Sequence, residues 1–317
     1  MRNYLLLITF FFFYQLHSFG QWPQDSLKID TLRKRLATLS DTARINCLND
    51  LAWAYYSSAR PLKFKADSAY PFAKKANEEA TRLNYKKGIA KSIINLAMYH
   101  KTLNAIGARS GNRQAEAKQW EKYIRQAIQL GEEIHDDWTL GYAYGDLGAL
   151  QQRLGLSDDL MSDEVIRNWE KSIFYFKRGG YEEGVEEMTT WVCMACSERG
   201  KYEKGIEFCQ QSLQMNLKET PRKKDKGYRD YLVQQSLINM ANLYEVAGDY
   251  DQALVYLRQS RKFGIENNSS WIMQAELGEL FTRMGQFDSA FYLLKDFTKK
   301  YPNQIWGECY WEKLTLL

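Results

Sequence analysis

The strongest constraint on the fold of this chain is a small residue that returns six times directly after a bulky apolar one. The pairs are Leu51-Ala52, Leu96-Ala97, Leu147-Gly148, Val192-Cys193, Met240-Ala241 and Leu277-Gly278. Two antiparallel helices approach closely only where a side chain is small, because a larger one holds their axes apart. The recurrence therefore predicts an array of helical hairpins, each packed against the next.

The two clearest copies carry a longer pattern. It runs Met240-Ala241, Tyr244, Gly248, Tyr250, Ala253 in one copy and Leu277-Gly278, Phe281, Gly285, Phe287, Ala290 in the next. Glycine suits the left-handed cap that ends a helix, and aromatic rings fill the space between helices. The pattern resembles the tetratricopeptide repeat (TPR), a helix-turn-helix unit of about 34 residues.

The resemblance implies an all-α fold: a right-handed α-solenoid of about six TPR-like helical hairpins plus a C-terminal helix. The repeats are expected at residues 45–83, 90–134, 141–180, 186–219, 234–267 and 271–304, with a partial seventh at 305–317. The partial repeat is rich in apolar residues, so self-association through it is one expectation. Every copy is longer than the standard unit, because successive small residues lie 37 to 51 positions apart.

The N-terminus has the three-part form of a secretory signal peptide. Arg2 precedes an apolar run from Tyr4 to Tyr14, and Ser18-Phe19-Gly20 supplies small residues before a cleavage point. We therefore expect residues 1–20 to be removed and residues 21–317 to be exported to the periplasm or the extracellular space. The apolar run is shorter than the roughly 20 residues of a membrane span, so no direct membrane span is expected.

The charge balance gives no reason to expect nucleic acid as a partner. Residues 21–317 carry 42 Lys and Arg against 39 Asp and Glu, and such a balance creates no strong positive field.

Few residues in the sequence suggest catalysis or metal binding. His100 stands where other repeats have a packing aromatic, and His135 precedes two carboxylates at a helix boundary, where capping is expected. We predict no catalytic residue, no metal site and no cofactor.

Three cysteines leave two interpretations open. Cys193-Met194-Ala195-Cys196 has redox spacing, but both thiols lie at inward positions of one helix, where cysteine packs as a compact hydrophobe. Cys209 lies on the partner helix of the same hairpin and could approach Cys193. The pattern is consistent with buried structural thiols or with a disulfide, either Cys193–Cys209 or another pairing.

Binding is the function that remains. By analogy with the TPR family, the first helix of each hairpin contributes to a concave binding face, and the family register selects its exposed positions. The candidates are Gln235, Asn239, Asn242 and Glu245 in the fifth repeat, Trp191 and Met194 in the fourth, and Tyr142 and Asp146 in the third. Asn242 falls where chaperone-binding TPR proteins hold a peptide carboxylate, but Ile238, Glu187 and Ile272 replace the lysines of that clamp.

Two functions follow from these features. The first is an exported, non-enzymatic TPR scaffold that binds a protein or peptide through its concave face. The second follows from Leu48–Tyr56 and Leu83–Ala90, which look like segments of the extracytoplasmic input region of bacterial sensor histidine kinases and related transcriptional regulators. Those proteins continue into a membrane helix and an output domain, so this chain would be a truncated relative or a free-standing version.

Overall fold

The computed structural model describes residues 23–57, 62–106, 113–154, 162–199, 201–218, 226–264 and 270–300. Within these ranges the chain forms thirteen α-helices and no strand, which confirms the all-α prediction. The helices are α1 (Pro23–Leu36), α2 (Asp41–Ser57), α3 (Leu62–Arg82), α4 (Lys86–Ile106), α5 (Arg113–Glu133), α6 (Asp137–Leu154), α7 (Asp163–Gly179), α8 (Glu182–Glu198), α9 (Tyr202–Leu217), α10 (Lys226–Val246), α11 (Tyr250–Gly264), α12 (Ser270–Arg283) and α13 (Phe287–Lys300). The signal segment and the partial seventh repeat lie outside the described residues.

The packing pattern is that of a solenoid. Consecutive helices pair as hairpins, for example α2 with α3, α4 with α5, and α10 with α11. The first helix of one hairpin also contacts the first helix of the next, as α2 does with α4 and α10 does with α12. Each hairpin therefore builds its core with its neighbours, as expected for a repeat array.

The chain divides into two compact units. Unit 1 comprises residues 1–160 and 174–180, and unit 2 comprises residues 161–173 and 181–317. Helix α7 contributes residues to both units. Unit 1 thus contains α1 to α6 with the end of α7, and unit 2 contains the start of α7 with α8 to α13.

Small residues lie where helices touch, as the sequence predicts. Ala241 is fully buried together with Ala253 and Leu257. A methyl group added at Gly278 would lie 2.6 Å from Leu294 Cδ2, which is far inside van der Waals contact. The predicted cap at Gly248 is also present: its φ of 84° is left-handed, a conformation that favours glycine.

Helix α1 was not predicted from the sequence. Its residues Ile29 and Leu32 are buried against α2, and the guanidinium of Arg33 donates to the hydroxyl of Tyr55 at 2.6 Å. Helix α1 therefore covers the apolar surface of α2 at the start of the array, which a solenoid must shield from water.

Candidate functional site

His100 packs between helices, as predicted. His100 Nδ1 lies 2.7 Å from Glu116 Oε2, and the imidazole stacks on Tyr123 with the ring centroids 5.5 Å apart. Next to His135, the carboxylate of Asp136 accepts hydrogen bonds from the backbone N–H and the hydroxyl of Thr139 at 3.0 and 2.6 Å, which caps α6. Among the described residues, no three His, Cys, Asp or Glu side chains are grouped so as to hold a metal ion.

Of the two interpretations of the cysteines, the structure shows the disulfide. Cys193 and Cys209 form a disulfide with their Cα atoms 5.2 Å apart. Cys196 keeps a buried free thiol, and burial raises its pKa to about 11. A thiol with a raised pKa is a poor nucleophile at neutral pH, so the Cys-x-x-Cys spacing does not mark a redox centre.

In unit 1, three aromatic rings from two different hairpins meet. Trp53 of α2 has its ring centroid 5.6 Å from Trp138 and 4.7 Å from Tyr142, both on α6. Trp138 and Tyr142 lie 4.6 Å apart. All three side chains are half-buried. We call these three residues the aromatic triad.

The triad shows that this face of unit 1 is concave. Helix α4 lies between α2 and α6 and contacts both. Neighbouring helix axes are about 8–10 Å apart, so a flat row would put the axes of α2 and α6 about 16–20 Å apart, and curvature toward the rings shortens that span. The rings of Trp53 and Tyr142 meet because the row of first helices curves toward them. We call the side of α2, α4 and α6 that carries the triad the first-helix face of unit 1.

Helix α4, the middle helix of this face, carries four lysines. Three of the four lysines of α4 form ion pairs: Lys86 with Glu133, Lys87 with Asp136 and Lys101 with Asp146. The fourth, Lys91, is half-buried and has its ammonium 5.4 Å from the ring centroid of Trp138. It forms no ion pair with any residue that the structure describes.

The two predicted site residues of α6 differ in their environment. Tyr142 belongs to the aromatic triad. Asp146, one turn further along α6, is 5% exposed. Its carboxylate is 2.7 Å from Lys101 Nζ and accepts a hydrogen bond of 3.4 Å from the indole N–H of Trp120. The Asp146 carboxylate is therefore already bound by the side chains of Lys101 and Trp120 within unit 1.

The candidates in unit 2 lie along α8 and α10. On α10, Gln235, Asn239 and Glu245 are more than nine-tenths buried, whereas Asn242 is half-exposed. On α8, Met194 and Trp191 are half-buried, and the Trp191 ring lies 5.6 Å from that of Trp169 on α7. Three of the six candidates in unit 2 are therefore buried, and the other three are half-buried like the residues of the aromatic triad.

Glu245 belongs to an acidic cluster that sequence reasoning missed. The guanidinium of Arg283 on α12 lies 2.6 Å from Glu245 and 3.0 Å from Glu279. Burial raises the pKa of Glu245 to about 7, although Arg283 acts in the opposite direction. Burial and the neighbouring carboxylates of Glu279 and Glu245 raise the pKa of Glu276 well above its usual value. Glu245 and Glu279 therefore share one guanidinium between α10 and α12, and the charges of all three groups act on the pKa of Glu276.

The sequence did contain a signal for the missed residues. Trp53 directly follows the small residue Ala52, just as Asn242 follows Ala241. Lys91 lies six positions before Ala97, as Gln235 lies six positions before Ala241. The register used for the later repeats would have selected both residues if it had been applied to α2 and α4.

The fold and its concave first-helix face define a TPR-like helical-repeat protein. No protein-family model matches the chain, and no similar sequence is found among curated proteins. No helix in the described ranges is long and apolar enough to cross a membrane.

Solved structures of low sequence identity share the fold. BtubC from P. vanneervenii is 12% identical with a TM-score of 0.55, covering 78% of this chain and 91% of its own. A Rap protein complexed with Competence and Sporulation Factor is 14% identical with a TM-score of 0.52, covering 96% and 75%. The apo quorum sensor NprR from B. thuringiensis is 12% identical with a TM-score of 0.51, covering 92% and 80%.

Proposed function

We propose that this chain is an exported, non-enzymatic repeat protein that binds an extended peptide or protein segment through its concave first-helix face. The observation that carries the proposal is the aromatic triad. Tryptophan and tyrosine bury a large apolar area on binding and lose little side-chain entropy, so they dominate binding energy at interfaces. Three such rings, half-buried on a concave face, provide a preformed surface for a partner side chain.

The structural likeness supports a binding role. The Rap protein that shares this fold was crystallised with a bound factor, and NprR is described as a quorum sensor. Export is supported by the signal-peptide pattern of residues 1–20. The Cys193–Cys209 disulfide agrees with it, because disulfides persist in oxidising compartments.

Selection from a random-peptide display library on the immobilised protein tests the binding proposal. We expect wild type to enrich a family of related peptides, and Trp53→Ala to bind them about tenfold or more weakly, as for an interface hot spot. Tyr292→Ala is the matched control, because Tyr292 is 72% exposed on α13 and lies outside the first-helix face. Circular dichroism confirms that both variants fold.

Two results would contradict the proposal. One is a wild-type protein that enriches no peptide family. The other is a Trp53→Ala variant that binds the selected peptides as tightly as wild type and Tyr292→Ala do. Export is tested separately by immunoblotting fractionated native cells: a species lacking residues 1–20 in the envelope or the medium is expected, and an unprocessed cytoplasmic species would overturn it.

A further inference from the structure

We infer that the aromatic triad and Lys91 together recognise a peptide segment in which an acidic residue lies within three positions of an aromatic or large apolar residue. This inference rests on the proposed peptide-binding function and specifies the partner. It depends on the unneutralised charge of Lys91 and on the distances between its ammonium and the rings of the aromatic triad.

Lys91 is the cation that a ligand can neutralise. A half-buried ammonium has lost part of its hydration, so an incoming carboxylate gains more from it than from an exposed lysine. The other lysines of α4 already have carboxylate partners, at 2.5 Å for Lys86, 3.5 Å for Lys87 and 2.7 Å for Lys101. The described residues supply no such partner to Lys91. Charge complementarity therefore selects an anionic group at this position.

The distances place the anionic and apolar groups of the ligand close together. Lys91 Nζ lies 5.4 Å from the centroid of Trp138, which lies 4.6 Å from that of Tyr142. The ammonium therefore lies within about 10 Å of the Tyr142 ring and about 11 Å of the Trp53 ring, which is about three residues of extended chain at about 3.3 Å each. One short segment can place an acidic side chain at Lys91 and an apolar side chain on the rings.

The surroundings favour a peptide over a polyanion. Nucleic acid and similar ligands bind several unneutralised lysines or arginines at once. Among the described lysines of α4, Lys91 alone has no ion pair, and its ammonium lies beside the Trp138 ring of the aromatic triad, so one carboxylate and one apolar group match the surface. An acidic side chain beside an aromatic or aliphatic residue provides both.

Peptide display on charge variants tests this inference. Wild type should enrich peptides with Asp or Glu within three positions of a large apolar residue. Lys91→Glu should shift the preference to Lys or Arg at that position, and Lys91→Met should remove the charge preference while apolar selection persists. Lys122→Glu is the matched control, because Lys122 is exposed on α5; it should select the wild-type peptides.

Binding of one selected peptide then gives a quantitative test. Replacing its acidic residue by the corresponding amide should weaken binding to wild type by about fivefold or more, a typical effect of a partly desolvated charge pair, and should leave binding to Lys91→Met unchanged. Two outcomes would overturn the inference and leave the peptide-binding function standing. In the first, the wild-type protein selects peptides that show no preference for acidic residues. In the second, Lys91→Glu selects the same acidic peptides as the wild-type protein. If wild type enriches no peptides at all, the proposed function itself fails.

Discussion

At the residue scale, burial controls the charge of one acidic side chain. Glu245 on α10 is 6% exposed, and its carboxylate lies 2.6 Å from the guanidinium of Arg283 on α12. Burial and the carboxylate of Glu279 raise its pKa, whereas Arg283 lowers it. The charge of Glu245 therefore depends on groups that lie more than thirty positions away in the sequence.

The raised pKa of Glu245 gives the protein a pH-dependent stability. Below its usual value of 4.5 the carboxyl is protonated in both the folded and the unfolded chain, and above about 7 it is ionised in both. Between these values the folded chain retains the proton and the unfolded chain releases it, so the free energy of unfolding falls as the pH rises. Relative to Glu245→Gln, wild type should lose roughly 1–3 kcal/mol across this range.

Urea denaturation of both proteins at intervals from pH 4.5 to 8 measures the effect. Glu276 and Glu279 are present in both proteins, so the difference between the two curves reports Glu245 together with its effect on the pKa of Glu276. If wild type instead gains stability over the variant as the pH rises, the ion pair with Arg283 outweighs the cost of burying the charge.

At the element scale, the hairpins explain why the cysteines were ambiguous. Cys193 and Cys209 are sixteen positions apart. The same separation relates Ala241 to Leu257 and Gly278 to Leu294, and Gly278 lies directly against Leu294. The disulfide therefore replaces a contact between a small residue and a leucine. Either interpretation of the cysteines fills that space, so spacing alone could not distinguish them.

The disulfide should stabilise the α8–α9 hairpin. Closing a loop of sixteen residues contributes about 3 kcal/mol, so dithiothreitol should lower the free energy of unfolding by about that amount. The double variant Cys193→Ala, Cys209→Leu reproduces the Ala241–Leu257 pair, and its stability should not respond to dithiothreitol.

Mass spectrometry of the denatured, unreduced protein after alkylation provides the direct check. Cys193 and Cys209 should remain unmodified, and both should react after reduction. Alkylation of both residues without reduction would show that they are thiols.

The candidate site could be predicted only in part, and the reason lies in how helices assemble. Tyr142 was selected because its position on a first helix can be read from one repeat. Its partner Trp53 lies on α2, two hairpins earlier, and the two rings meet across α4, in a row of first helices that curves toward them. Curvature is the accumulated result of many small packing angles, and no single repeat encodes it. Asp146 was also selected, but its partner Lys101 is on another hairpin.

At the scale of the whole molecule, the stability of a solenoid is distributed along the chain. Each hairpin contacts its neighbours, so a local defect should weaken nearby hairpins more than distant ones. In a two-state globular domain, a core defect lowers the protection of all core amides together. The array therefore predicts that the effect of a mutation decreases with distance along the sequence.

Ala241→Leu tests this prediction. Ala241 is fully buried, and the larger side chain should overpack the α10–α11 hairpin at a cost of about 1–3 kcal/mol. Hydrogen exchange followed by mass spectrometry should show the largest loss of protection in α10 and α11, a smaller loss in α8 and α12, and little change in α2 to α5. The matched control is Ala115→Leu at an exposed position of α5, which should change none of these segments. Equal loss of protection in α2 to α5 and in α10 to α13 would mean that the protein unfolds as one cooperative body, and the nearest-neighbour account of its stability would then be wrong.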